Sequence, residues 1–88
     1  HNAFSSLYFL ELPLTESALR AAVPQLFADP ACGHILRLKG FVRAADAWLE
    51  INATPAGMTA QRVPQGQQVL IIIGQGLDKA KIEAHLAQ

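Results

Sequence analysis

The distribution of apolar and polar residues predicts five strands and two helices. The longest apolar run, residues 69–73, contains five consecutive branched aliphatic residues and is followed by Gly74-Gln75-Gly76. A run without alternation is typical of a strand that is covered on both faces, although a short buried helix has the same pattern. The β-branched residues and the glycines favour the strand, and we predict that it is the central strand of a sheet.

Two segments have the apolar spacing of amphipathic helices. Residues 15–28 begin at Thr15, a good capping residue, and carry apolar side chains at intervals of three and four. Pro24 lies inside this pattern and lacks a backbone donor, so we expect a kink or a break there. Residues 78–87 form the second predicted helix, with Asp78 as its cap.

Four further segments have the composition of strands. They are residues 4–12, 34–43, 47–54 and 58–63. The second and third of these predict a hairpin with one apolar face and one mixed face. Strict alternation places on the mixed face of segment 34–43 the side chains of Ile35, Arg37, Lys39, Phe41 and Arg43.

The predicted order of elements is β-α-β-β-β-β-α. Such an order is typical of an α+β domain in which helices cover one face of a mostly antiparallel sheet. We therefore predict a two-layer sandwich with four or five strands, two helices on one face, and an open opposite face.

Composition narrows the function classes. The 88 residues are enough for one domain, and the hydrophobic fraction of 51 % with a mean hydropathy of +0.22 leaves apolar surface for an interface or for a well-filled core. The net charge of zero provides no broad attraction for nucleic acid.

The sequence also bears on location. The single cysteine fits a reducing compartment, and no apolar run approaches the roughly 20 residues of a membrane span. We therefore expect a cytoplasmic location. Because the sequence begins at His1, we expect a piece of a longer protein.

Candidate chemistry is sparse. Cys32 and His34, separated by Gly33, are the only two candidate metal ligands that lie close together in sequence. The other histidines, His1 and His85, lie far away in sequence. Two ligands make a weak site, and a loop cysteine is the simpler interpretation. Gly74-Gln75-Gly76 precedes a helix but lacks a following Gly-Lys-Ser/Thr, and Asp78 occupies the position of an anion. We assign no catalytic, cofactor-binding or metal residue.

The open face of the hairpin is the candidate interaction site. It combines aromatic and charged residues, a composition enriched at protein interfaces. Its members are Arg37, Lys39, Phe41, Arg43, Trp48, Glu50 and Asn52. Two alternatives stay open. One is a solvated face on which Lys39 and Glu50 pair across strands. The other is a free-standing ligand- or RNA-binding module, because Phe41 and Trp48 offer rings on which bases stack.

Three segments carry a family resemblance, and they are residues 33–42, with Arg37-Leu38-Lys39-Gly40-Phe41 at their centre, residues 48–53, and residues 69–78. Together they resemble the C-terminal domain of CobW-like proteins, the P-loop GTPases linked to cobalamin synthesis, nitrile hydratase activation and zinc delivery. The resemblance spans nearly the whole chain and keeps the order of the segments.

This resemblance implies an accessory role. The family's nucleotide-binding residues and its Cys-x-Cys-Cys metal motif belong to a preceding domain, and neither motif occurs here. We therefore expect residues 1–88 to be a non-catalytic interaction domain. GTP with Mg²⁺ and zinc or cobalt are implied for the parent protein. Its own GTPase domain or a client metalloprotein is the implied partner. From the charge and the apolar runs described above, we expect no membrane partner and do not expect nucleic acid to be one.

Overall fold

A computed structural model of the chain describes residues 3–10 and 12–87. Within them, five antiparallel strands form one sheet, and two α-helices pack on one of its faces. The elements are β1 (Ser5–Leu10), α1 (Glu16–Ala28), β2 (His34–Ala44), β3 (Ala47–Thr54), β4 (Gly57–Val63), β5 (Val69–Gln75) and α2 (Lys79–Leu86). The α+β class and the order β-α-β-β-β-β-α are confirmed. A short 3₁₀ turn, Pro30–Cys32, was not predicted. The first strand, predicted over residues 4–12, is shorter and spans Ser5–Leu10, and Glu11 lies outside the described residues.

The sheet has the order β1-β5-β2-β3-β4, so β2 is its middle strand. The prediction that β5 is central is wrong by one position, although β5 is paired on both edges, with β1 and with β2. The prediction that both faces of β5 are covered is also wrong. Leu70 and Ile72 are buried beneath the helices, whereas Val69, Ile71 and Ile73 are only half-buried on the opposite face.

A β-bulge changes the faces of β2. The pairing of β2 with β5 shifts register between Ile35 and Arg37. The extra residue lets Ile35 turn inward, where it is buried with Leu38 and Val42, and Leu36 is left half-buried. Strict alternation placed Ile35 on the mixed face, and that assignment is wrong because a bulge interrupts the period of two.

Helix α1 runs without a break through Pro24. The expected break is therefore absent, and Pro24 occupies an exposed position of the helix. The side chain of Thr15 accepts a hydrogen bond from the amide of Ala18 at 3.1 Å and caps the helix as predicted. Asp78 caps α2 in the same way, through the amide of Lys81.

One apolar core joins the two layers. The helices contribute Leu19, Leu26 and Ile82, which are fully buried, and the sheet contributes Ile51 and Ile72. Burying side chains of this size stabilises the fold by roughly 1.5–3 kcal/mol each. The helices therefore hold one face of the sheet, and the other face remains available.

The β2–β3 turn contains a residue, Ala45, whose backbone conformation is unfavourable for a side chain. Ala44 pairs with Ala47, and the intervening Ala45 has φ +55°, in the left-handed region. Because glycine adopts this region without a Cβ clash, Ala45→Gly should raise the free energy of unfolding by about 1 kcal/mol. Urea unfolding measures the change. Ala47→Gly, in the strand itself, is the control and should lower stability by roughly 0.5–1 kcal/mol. Equal destabilisation by both variants would contradict the strain at Ala45.

Candidate interaction face

The structure brings the seven predicted site residues together on the open face of the sheet. Three cross-strand pairs define the arrangement, and they are Lys39 with Asn52, Phe41 with Glu50, and Arg43 with Trp48. Arg37 lies on the same face, two positions before Lys39 and beyond the bulge. Alternation predicted this grouping correctly because β2 and β3 are regular over the residues concerned.

Contacts within the face are mostly polar or ring contacts. Arg37 Nη2 donates a hydrogen bond to Asn52 Oδ1 at 2.9 Å. The guanidinium carbon of Arg43 lies 5.1 Å from the centre of the Trp48 ring, within the range of a cation–π interaction. The Lys39–Glu50 ion pair of the solvated alternative is not formed among the described residues, because Lys39 lies opposite Asn52 and Glu50 lies opposite Phe41.

The loop between β4 and β5 packs against the two aromatic residues of the face, Phe41 and Trp48. A Cβ added at Gly66 would lie 2.9 Å from Phe41 Cδ2 and 3.0 Å from Trp48 Cγ, so the loop backbone touches both rings. Both side chains are consequently half-buried. The rings are therefore partly occupied by the chain's own loop, and less of their surface is free for a base or a partner than the sequence suggested.

The sequence analysis missed an apolar region beside these residues. On β1, Tyr8 is 57 % exposed and Leu10 is 67 % exposed. They lie opposite Ile71 and Val69 of β5, on the open face. These four side chains, together with Ile73, form what we call the β1–β5 patch. The alternation of buried Phe9 with Tyr8 and Leu10 was the available signal, but it was hidden because every residue from Leu7 to Leu10 is apolar or aromatic.

A separate polar cluster lies at the end of the helical layer. His85 Nε2 and Asp29 Oδ2 are 2.8 Å apart, and Cys32 Sγ lies 3.8 Å from the same carboxylate oxygen. Asp29 Oδ1 accepts a hydrogen bond from the amide of Ala31 and thereby starts the 3₁₀ turn. His34, which the sequence paired with Cys32, is exposed and does not join this group. His1 lies outside the described residues.

The environment shifts two pKa values in this cluster. The hydrogen bond from His85, together with that from Ala31, lowers the pKa of Asp29 below its ordinary value of 3.8. Burial, reinforced by the negative charge of Asp29, raises the pKa of the Cys32 thiol. A thiol in that environment is a poor nucleophile, which disfavours the nucleophilic chemistry considered for Cys32. The packing of α2 against α1 and the 3₁₀ turn brings His85 to Asp29 and Cys32, which lie far away in sequence, so no local motif predicts the contact.

Comparison with known proteins decides the family. The model of the family described as "Cobalamin synthesis protein cobW C-terminal domain" matches residues 5–88, nearly the entire chain. The chain belongs to this family. None of the curated proteins shows significant sequence similarity to it.

Two solved structures share the fold of this cobW C-terminal domain. One is the Zn(II)-bound YjiA GTPase from E. coli, with a TM-score of 0.71 and 21 % identity. The other is a Zn(II)-bound triple mutant of the YjiA GTPase, with a TM-score of 0.70 and 20 % identity. Each alignment covers 96 % of this chain and 29 % of the solved chain. The chain thus spans less than a third of the proteins it resembles in structure.

Among the described residues of the cobW C-terminal domain, no helix is both long and apolar enough to cross a membrane.

The contact between Gly66 and the two rings predicts the effect of a single methyl group. Gly66→Ala should push the loop away from Phe41 and Trp48, because the added carbon would lie within about 3 Å of both rings. Trp48 is the only tryptophan, so its fluorescence reports the change directly. We expect a red shift and stronger quenching by acrylamide. Gln65→Ala, at an exposed neighbouring residue, should change neither signal, and an unaltered spectrum for Gly66→Ala would contradict the contact.

The contact between Asp29 and His85 predicts a dependence of stability on acid pH. Because the pKa of Asp29 is lowered in the folded state, its contribution is fully present above the pKa of the unfolded chain. The contribution is lost as the pH falls through the lower folded value. The difference in unfolding free energy between the unsubstituted chain and Asp29→Asn should therefore shrink as the pH falls through the acid range. Urea unfolding with a chelator present measures it. His85→Gln removes the partner and should weaken the dependence similarly, and a pH-independent difference would contradict this role.

Proposed function

We propose that this chain is a non-catalytic interaction domain of a larger CobW-like P-loop GTPase, and that its open sheet face docks on the GTPase domain. The fold, the family match and the short coverage of the YjiA GTPase support this role. The observation that carries the proposal is the β1–β5 patch. It places exposed Tyr8 and Leu10 beside the predicted site residues on the face that the helices leave open.

Exposed apolar area favours a docked state. Each Å² of apolar surface removed from water contributes about 25 cal/mol, so covering large side chains such as Tyr8 and Leu10 stabilises a complex. Half-buried Val69, Ile71 and Ile73 continue the same surface toward β2. Aromatic and aliphatic side chains surrounded by polar groups form the usual centre of a protein interface.

The charges next to the patch indicate what kind of surface fits it. Arg37 and Lys39 are exposed on the neighbouring strand, and Arg43 lies farther along the same strand. Glu50 is the only acidic member of the seven predicted site residues. We infer that the docking surface of the GTPase domain is apolar at its centre and acidic where it meets β2, since opposite charges steer and align the two partners.

The wider role belongs to the parent protein. We propose that GTP and Mg²⁺ are bound by its GTPase domain, and that the protein acts in zinc or cobalt delivery or in cobalamin synthesis. The family description and the Zn(II)-bound state of the YjiA GTPase support this direction. A client metalloprotein is the second partner that the open face would suit, and we expect the protein to work in the cytoplasm.

The docking proposal is tested by measuring the affinity of this domain for the separately produced GTPase domain of the parent protein. Tyr8→Ser with Leu10→Ser should weaken binding by about 10- to 100-fold, since both side chains are exposed and contribute little to the core. Arg37→Glu with Lys39→Glu should slow association, with an effect that diminishes at high salt.

The matched control carries two exposed substitutions on the helical layer, Ala21→Ser and Lys81→Ser, which should leave binding unchanged. Circular dichroism and unfolding in urea verify that each variant is folded. Equal affinities for the folded patch variant and the control would refute docking through this face. Binding lost in the control but kept by the patch variant would place the interface on the helices instead.

A further inference from the structure

The cluster at the end of the helical layer combines three different metal-binding side chains. Asp29 follows α1, Cys32 ends the 3₁₀ turn, and His85 lies in the last turn of α2. Their oxygen, sulfur and nitrogen atoms all lie within 4.8 Å of one another. We propose that Asp29, Cys32 and His85 form a binding site for a borderline-soft divalent cation, with Zn²⁺ as the ion that fits best.

The donor set favours zinc over harder cations. Imidazole nitrogen, thiolate sulfur and carboxylate oxygen are the three ligand types of protein zinc sites, whereas Mg²⁺ and Ca²⁺ select oxygen alone. Bond lengths of about 2.0–2.3 Å place the ligand atoms of a tetrahedral zinc about 3.3–3.8 Å apart. The separation of 3.8 Å between Cys32 Sγ and Asp29 Oδ2 meets this requirement already. The 2.8 Å between His85 Nε2 and Asp29 Oδ2 must widen by roughly half an ångström, which small side-chain rotations supply.

The backbone holds the three donors in place. The amide of Cys32 donates to the carbonyl of Asp29 at 3.0 Å, and the carbonyl of Cys32 accepts from the amide of Asp78 at 3.1 Å. Asp78 is the cap of α2, so the segment that carries Cys32 is tied to the helix that carries His85. Asp29 Oδ1 is held by the amide of Ala31, which orients the carboxylate and leaves Oδ2 directed at the other two donors. Such fixed secondary contacts are what orient ligands in metal sites.

The ligand atom of His85 is Nε2, which faces Asp29. The other ring nitrogen, Nδ1, is buried without a hydrogen-bond partner among the described residues. It lies on the other side of the ring and takes no part in the proposed site.

The number of ligands indicates the kind of site. Three protein donors leave the fourth tetrahedral position open, as in zinc sites that exchange a ligand rather than in closed structural sites. The side chains of Asp29 and His85 are 34 % and 19 % exposed, so solvent reaches the cluster from their side while Cys32 closes the other. We infer that zinc at this position also bears a water molecule or a donor from another molecule.

The site lies apart from the β1–β5 patch, and its test is independent of docking. Titration of the metal-free chain with Zn²⁺ by calorimetry, and with Co²⁺ by absorption spectroscopy, should show one equivalent bound with a thiolate-to-cobalt charge-transfer band. Cys32→Ser, Asp29→Asn and His85→Gln should each weaken Zn²⁺ binding by about 100-fold or more, since each removes a ligand. The docking variant Tyr8→Ser with Leu10→Ser should bind zinc normally.

His34→Gln is the matched control, because His34 is an exposed histidine close to Cys32 in sequence but outside the cluster. It should leave Zn²⁺ affinity unchanged. Metal-free unfolding curves identify any variant that fails to fold, and the two variants that leave Cys32 intact then carry the test. Absence of stoichiometric binding, binding unaffected by Cys32→Ser, or loss on His34→Gln but not on His85→Gln would each overturn the proposal.

Discussion

The pairing of β5 between β1 and β2 is the constraint on which the rest of the structure depends. Leu70 and Ile72 lie against the helical layer from the middle of this pairing, and Ile82 of α2 is fully buried in the same core. Without β5, β1 would have no neighbour in the described sheet. The apolar run that forms β5 thus joins the first strand to the hairpin and adds two side chains to the shared core.

The two faces of the sheet differ in composition, and the two proposed binding sites lie on different sides of the domain. The helical layer buries the aliphatic side chains of one sheet face. The open face therefore presents aromatic rings, cationic side chains and half-buried aliphatic side chains. The β4–β5 loop covers Phe41 and Trp48, and this shifts the free apolar surface toward Tyr8 and Leu10. The polar cluster around Asp29 lies with the helices, so the two proposed activities do not share a residue.

The sequence predicted the class, the order of elements and the membership of the open hairpin face, because these follow from local periodicity and capping. It did not predict the burial of Ile35, since a bulge breaks the period of two without a glycine or proline to mark it. The half-open state of β5 was missed because a run of aliphatics has no polar residue to show which face is free. The meeting of Asp29 with His85 depends on how α1 and α2 pack, and no local pattern encodes such a contact.

The order of pairing has a consequence for how the molecule forms during synthesis. Strand β1 is translated before the rest of the sheet, yet its neighbour β5 follows all the other strands in the chain. Closing that pair requires a contact between segments far apart in sequence, which is slow compared with local hairpins. Until the ribosome has released β5, the nascent Tyr8–Leu10 segment remains available to chaperones and to unwanted association.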